Sequence, residues 1–354
     1  MAGNLKAQRP EASTPQPTDR AGLRLEAIRK REALGKAKLA GTGGLGRMLA
    51  WIQYQLARLN ATAPMRAFQQ YNRQRGPLMA AGVGFNMFFS ITGLLTTGFS
   101  VAGLVLRNDR VLLDAIITSV SKNAPGLLMV HGQNGLVDPE KLLNPTGLGL
   151  TAIIAAIVTI ITSLGSIQAM RQGLRGVLAL PQLTGNPVLI KLKDAGTLVL
   201  LGLALVLTSA VTVVFGAALD AIVGAVGLNS AVANPVGYAV GFIAGLLLNW
   251  LAAAIMFKLG AGLDLRHRVF LEATLIAGAG ATVLQLLSNF LLAKAGANPV
   301  LAPFAVIVGL LIWFNFVSQV YLMAAGWAAV READTVAGTA DGGKPGRARS
   351  IIPA

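Results

Sequence analysis

The chain contains no cysteine and only two histidines among its 354 residues. The first absence excludes a disulfide framework and any thiolate ligand or nucleophile. The histidines, His131 and His267, have no carboxylates at metal-ligand spacing, so the sequence predicts neither a metal site nor a cofactor. The GTGGLGRM stretch lacks the lysine and hydroxyl of a phosphate-binding loop. These absences favour a protein that is not an enzyme.

Charge is also scarce, because 13% of the residues are charged and 54% are hydrophobic, whereas soluble domains carry about 25% charged residues. Several uncharged runs exceed the roughly 20 residues that a helix needs to cross a bilayer. Continuous apolar runs predict helices, which satisfy their own backbone groups in lipid. The sequence therefore predicts an all-α, polytopic membrane protein with a bundle of six transmembrane helices. The candidate spans are residues 78–106, 148–170, 195–219, 236–257, 269–293 and 302–330.

The connections between these spans differ in basic charge. Lysine and arginine number 14 in residues 1–77, four in 171–194, three in 258–268 and four in 331–354. The connections that alternate with these, on the opposite side of the membrane, contain four in 107–147, none in 220–235 and one in 294–301. By the positive-inside rule, both termini of this multi-pass protein face the cytoplasm.

The composition further divides the chain into four parts. Residues 1–46 are basic and polar, which predicts a disordered cytoplasmic tail. Residues 47–76 place apolar side chains at helical spacing on both sides of a break at 60–64, which predicts N-terminal interfacial amphipathic helices. Residues 77–330 form the transmembrane domain, and 331–354 a cytoplasmic C-terminal tail.

Asparagine followed by proline occurs shortly before four of the spans, at Asn144, Asn186, Asn234 and Asn298. Asparagine caps exposed helix amides, and proline suits the first helical position, where its missing N–H costs nothing. These pairs therefore predict helix starts.

Polar side chains share single helix faces within the spans. One interpretation is a packed interface, in which small residues and hydrogen bonds join neighbouring helices, as Gly241 and Gly245 also predict for the fourth span. The other is a polar path for a substrate headgroup. The candidate path residues are Asn86, Ser90, Thr97, Thr274, Thr282, Gln285, Asn289 and Asn315.

The segment between the second and third spans carries four cations that predict contact with anionic lipid headgroups, namely Arg171, Arg175, Lys191 and Lys193. The net charge of +15 is not accompanied by a nucleic-acid-binding motif. The predicted partners are thus membrane lipids, mainly anionic, and not nucleic acid. The sequence leaves a homo-oligomer open.

Three segments together carry a family resemblance: YNRQRGPLMAAGVGFNMFFSITGLL, LGSIQAMRQGLRGV and GNPVLIKLKDAGTLVLLGLALVLTS. In their order and spacing the chain resembles the YihY/BrkB family of bacterial inner-membrane proteins, formerly labelled ribonuclease BN, and most of all its YhjD-type branch. The resemblance implies six spans, cytoplasmic termini and a role in the cell envelope, where lipid or lipid-linked transport is the leading expectation. The alternative is a non-transporting membrane scaffold that recruits partners through its basic tail.

Overall fold

The computed structural model describes residues 15–39, 44–105, 110–123, 128–129, 150–226, 230–295 and 302–341. Its regular elements are helices, so the predicted all-α class is confirmed. In chain order they are α1 (Arg20–Leu39), α2 (Gly44–Asn60), α3 (Ala63–Arg73), α4 (Gly76–Val105), α5 (Arg110–Asn123), α6 (Leu150–Val177), α7 (Pro187–Val226), α8 (Ser230–Ile255), a π-helical segment (Met256–Gly260), α9 (His267–Ala295) and α10 (Ala302–Asp341).

The chain divides into two compact units. The terminal unit comprises Met1–Gln70 and Ala329–Ala354, and the central unit comprises Tyr71–Ala328. Helix α10 contributes residues to both units, since the division falls within it.

In the terminal unit, α1 differs from the disordered tail that the sequence predicts for residues 1–46. The helix is rich in Ala, Leu, Arg, Lys and Glu, which are strong helix formers. Asp19 caps it by accepting a hydrogen bond from the Gly22 amide at 2.9 Å. Leu23 and Leu34 are buried, and α1 packs against α2, so tertiary contacts order a segment that composition alone assigns to disorder. At the other terminus, residues 331–341 continue α10 into the predicted tail.

A buried arginine joins three segments of the terminal unit. Arg66 on α3 is 1% exposed and holds Asp334 of α10 through two hydrogen bonds of 2.8 and 3.0 Å. Its remaining donors reach the carbonyl oxygens of Pro17 at 2.7 Å and Thr18 at 3.2 Å. The guanidinium therefore fixes the segment before α1 and the end of α10 to α3.

Replacing Asp334 with asparagine should loosen the terminal unit, because Arg66 then remains buried without a counter-charge, at a cost of roughly 3–5 kcal/mol. Amide hydrogen exchange in α1 and α3 should accelerate on the order of a hundredfold or more. The control is Arg20→Gln, since Arg20 is 45% exposed and 3.9 Å from Asp334; this pair contributes below about 1 kcal/mol. Equal exchange in the two variants would contradict the role of Arg66.

Each predicted span coincides largely with one long helix, namely α4 and α6 to α10 in order. Among the described residues, three helical stretches are long and apolar enough to cross a membrane, namely Gly241–Gly260, His267–Leu287 and Ile307–Gly338. The protein is therefore a membrane protein. The count of six spans and the cytoplasmic termini stay predictions.

The helix starts agree with the Asn-Pro pairs in one case and differ in another. Asn186 accepts a hydrogen bond from the Val188 amide at 2.9 Å, and α7 begins at Pro187. Helix α8 instead begins at Ser230, four residues before Asn234, so Pro235 lies inside the helix and removes one backbone bond. The pairs at Asn144 and Asn298 lie outside the described residues.

The core of the central unit combines large side chains, such as Met170 and Phe257, with small ones on α9 and α10, such as Ala273, Ala277 and Ala324. Two glycines mark close backbone approaches: a Cβ on Gly84 would lie 2.8 Å from the Asn315 amide nitrogen, and one on Gly278 would lie 2.6 Å from the Trp250 Cα. The close approach predicted at Gly241 and Gly245 is not made by the described residues, because no described atom lies within 4 Å of a Cβ built there. Glycine spacing cannot tell which face meets a neighbour.

Gly278→Ala should destabilise the central unit by about 1–3 kcal/mol, because the added methyl group meets backbone that cannot move cheaply. Gly245→Ala is the matched control, and there the better helix former should leave stability unchanged or raise it by up to about 1 kcal/mol. Thermal unfolding of the purified variants in detergent measures both. A Gly278→Ala variant as stable as the control would exclude a tight α8–α9 approach.

Candidate functional site

The candidate site lies where α6 ends and α7 begins. Helix α6 closes with two backbone bonds: the Leu180 amide donates to Arg175 at 2.9 Å and the Ala179 amide to Gly176 at 3.0 Å. This is a Schellman pattern, which places Ala179 in the left-handed region at a φ of 54°. The chain therefore reverses sharply and brings the last turns of α6 beside the first turns of α7.

A pocket of about 220 Å³ lies between these helix ends. Two of its wall residues are cations, Arg171 and Lys191, and none is acidic. Lys191 donates a hydrogen bond to the Gln168 side-chain oxygen at 2.7 Å, so the lysine is held at the wall. The wall, called the basic pocket below, consists of Gln168, Arg171, Gln172, Gln182, Leu183, Pro187, Ile190 and Lys191.

Helical spacing explains how these side chains converge. Gln168, Arg171 and Gln172 follow the i, i+3, i+4 pattern on α6, as do Pro187, Ile190 and Lys191 on α7. Side-chain amide and cationic N–H donors from both helices therefore surround the basic pocket. This arrangement can bind an anion, and arginine in particular matches the paired oxygens of a phosphate group.

Arg171 also reaches behind the pocket wall to Asp194 of α7. The guanidinium donates to Asp194 Oδ1, and both side chains are buried, with Asp194 fully so. The ion pair joins α6 to α7 beside the pocket, because Arg171 belongs to both the ion pair and the pocket wall.

Arg175, one turn later, has a different role. It donates to the carbonyl oxygens of Pro181 at 2.8 Å and Ala261 at 3.1 Å, and more weakly to that of Gly262 at 3.4 Å. Burial and then the neighbouring Arg171 lower the pKa of Arg175, although arginine stays protonated at physiological pH. Arg175 thus holds the loop after α6 against the end of the π-helical segment.

Only two of the four cations predicted to bind headgroups lie in the wall of the basic pocket. The pocket contains Arg171 and Lys191, whereas Arg175 binds backbone carbonyls and Lys193 is exposed on α7 away from the wall. The three glutamines of the wall were missed by the sequence analysis. Spacing from Arg171 could have identified Gln168 and Gln172, but Gln182 lies in a loop, and only the fold brings it there.

Three of the predicted path residues, Thr274, Thr282 and Gln285, lie in one seam between α8 and α9. Asn249 donates to Thr282 Oγ1 at 3.0 Å and to Gln285 Oε1 at 3.1 Å. Trp250 donates to Thr274 Oγ1 at 3.1 Å. Thr274 and Thr282 are buried, and their hydroxyls bond to carbonyls one turn earlier on α9. The seam is a packed, hydrogen-bonded helix contact.

The other path residues are dispersed. Asn86 is exposed and donates to the Gly82 carbonyl at 2.8 Å, whereas Ser90 is buried and its carbonyl accepts a hydrogen bond from Ser163 of α6 at 3.3 Å. Asn315 accepts a hydrogen bond from Gln319 on its own helix at 2.6 Å. The side chains of Thr97 and Asn289 lie outside the described residues. A continuous path through these positions stays a prediction.

Comparison with known proteins gives one family and two relatives. A family profile described as "Virulence factor BrkB" matches residues 67–349. The chain is 24% identical over 271 residues to inner membrane protein YhjD of Escherichia coli (strain K12), covering 76% of this chain and 80% of that protein. It is 25% identical over 274 residues to an uncharacterized protein of Dickeya dadantii (strain 3937), covering 77% and 83%. No solved structure matches.

Ala179→Gly should stabilise the protein by about 1 kcal/mol, because glycine adopts a positive φ without the steric cost of a Cβ. The control is Ala195→Gly within α7, where the same exchange in regular helix should destabilise by about 1 kcal/mol. Thermal unfolding in detergent compares the two. Shifts of the same sign would contradict the left-handed conformation at Ala179.

Proposed function

Because this chain belongs to the BrkB family of inner-membrane proteins, we propose that it transports lipids or lipid-linked envelope molecules and binds the anionic headgroup of its substrate in the basic pocket. The single observation that carries this proposal is the convergence of Arg171, Lys191 and three glutamines on a cavity without an acidic wall residue. Such a wall favours a phosphate-containing group over a neutral one.

The size of the pocket supports a headgroup as the occupant. Its volume of about 220 Å³ is below the roughly 300–1,000 Å³ typical of sites that enclose whole drug-sized ligands. A phosphorylated headgroup would enter while the acyl chains remain in the bilayer. In the proposed orientation the pocket lies at the cytoplasmic ends of the second and third spans, where anionic lipid is available.

Beyond the pocket, the headgroup would cross the membrane along the polar faces of the spans. Exposed Asn86 is the first candidate along this path. An Asn86→Leu exchange removes its polar group, and we expect slower transport with little loss of stability, since one such hydrogen bond contributes about 0.6 kcal/mol.

The second candidate function is the non-transporting scaffold. The α8–α9 seam favours it, because Asn249 donates hydrogen bonds to Thr282 and Gln285, and Gly278 allows the two backbones to approach. A scaffold requires this packing and has no need of movement through the bundle.

Movement of labelled phosphatidylglycerol between leaflets of proteoliposomes tests the proposal. Lys191→Gln should slow this movement about tenfold, the effect of losing a charge-assisted hydrogen bond. Lys193→Gln is the matched control, because it removes the same charge from the same helix outside the pocket. Wild-type protein that moves no lipid would exclude unaided translocation and favour the scaffold. Equal loss in both variants would exclude the pocket as the binding site.

A further inference from the structure

The ion pair behind the basic pocket leaves one carboxylate oxygen unused. Asp194 is fully buried, and its Oδ1 accepts from Arg171. Its Oδ2 is buried as well and has no hydrogen-bond partner among the described residues. Buried polar atoms are almost always paired. Asp194 Oδ2 is therefore the unpaired acceptor of this ion pair among the described residues.

Arg171 belongs to both the ion pair and the pocket wall. Arg171 as a whole residue is only 5% exposed, yet it contributes to the cavity surface. The group has five N–H donors in a planar fork, which suits paired oxygens of carboxylate and phosphate alike. An anion in the pocket therefore competes with Asp194 for the same cation.

We propose that Arg171 exchanges between Asp194 and the phosphodiester of a bound headgroup, and that Asp194 takes up a proton from water when it loses the guanidinium. The inference rests on the headgroup site proposed above and adds the coupling of that site to protons. The proton binds Asp194 Oδ2 and forms a neutral carboxylic acid. When the headgroup leaves, the proton returns to water and Arg171 pairs again with the carboxylate.

The surroundings of Asp194 explain why a proton is needed. The elements packed against α7 are α5, α6, α8 and the π-helical segment. Helix α6 carries Arg171, which pairs with Asp194 itself, and Arg175, whose donors are directed to carbonyls. Helix α8 carries no charged residue. The π-helical segment carries Lys258, which is exposed and pairs with Asp264 at 3.3 Å.

The remaining charges on the other elements are Arg110, Asp114 and Lys122 of α5, of which Asp114 is exposed. Helix α7 itself also carries the exposed Lys191 and Lys193, and Asp220 about seven turns further along. A buried carboxylate that loses its counter-charge is strongly destabilised in the charged form. Protonation removes that charge, so headgroup binding and proton uptake strengthen each other.

The experiment is isothermal titration of the purified full chain, in uncharged detergent, with dihexanoyl phosphatidylglycerol. Its phosphodiester stays anionic across the physiological pH range, so the ligand takes up no proton itself. Titration in buffers of different ionisation enthalpy counts the protons. We expect uptake approaching one proton per bound lipid and affinity that rises as pH falls, by at most about tenfold per pH unit. Dihexanoyl phosphatidylcholine should bind weakly.

Two variants distinguish exchange from a purely structural ion pair. Asp194→Asn frees Arg171 without changing the shape of the side chain, so it should bind the lipid at least as tightly as wild type, with no proton uptake and no pH dependence. The double variant Arg171→Gln with Asp194→Asn leaves no buried charge unpaired, and it should fold yet lose binding. Thermal unfolding verifies that both variants are folded.

The outcomes separate this inference from the proposed function. Lipid binding without proton uptake in wild type, or no binding, overturns the exchange. Proton-linked binding without movement in proteoliposomes supports the exchange and overturns translocation. Proton-linked binding of deacylated glycerophosphoglycerol also supports the exchange, and it identifies the phosphodiester alone as the recognised group, whereas a need for the acyl chains identifies the lipid.

Discussion

The desolvated guanidinium groups at the end of α6 are the constraint around which the candidate site is organised. A cation removed from water must be surrounded by acceptors, because an unpaired buried charge is strongly destabilising. Arg171 satisfies this requirement with a carboxylate on α7, and Arg175 with carbonyls from the loop after α6 and the turn after the π-helical segment. Two arginines four residues apart thereby fix three chain segments, and the basic pocket lies between two of them.

The irregular backbone near this site supplies the acceptors that Arg175 needs. Beyond α8 the helix widens, and the Ala261 amide bonds to the Met256 carbonyl five residues earlier at 2.7 Å. Gly262 follows with a φ of 59°, a conformation that glycine adopts without strain. The widened turn leaves the Ala261 and Gly262 carbonyls without helical partners, and Arg175 binds them. Single π-helical turns often occur near functional sites.

Polar residues in the central unit have two different roles, helix packing and the lining of a cavity. Along α8 and α9 they bond to one another and to nearby carbonyls, and glycine allows the backbones to approach. At the basic pocket, amide and cationic groups converge on a cavity instead of on each other. The sequence indicated the polar helix faces as the candidate substrate path, whereas the structure indicates the end of α6 as the candidate binding site. Transport and scaffolding therefore remain distinct candidate functions.

From low charge and long apolar runs the sequence predicted a membrane protein of the all-α class, because helices satisfy their own backbone groups in lipid. It also determined that α7 begins at Pro187, since a cap is a local interaction, and that Arg171 and Lys191 are candidates for anion binding. Four features follow from the fold alone: α1 is ordered, Arg66 binds Asp334 across 268 residues, Gly278 meets a neighbouring helix, and Arg175 faces carbonyls. These features depend on which helix faces meet, and residue spacing along one helix carries no information about its neighbour.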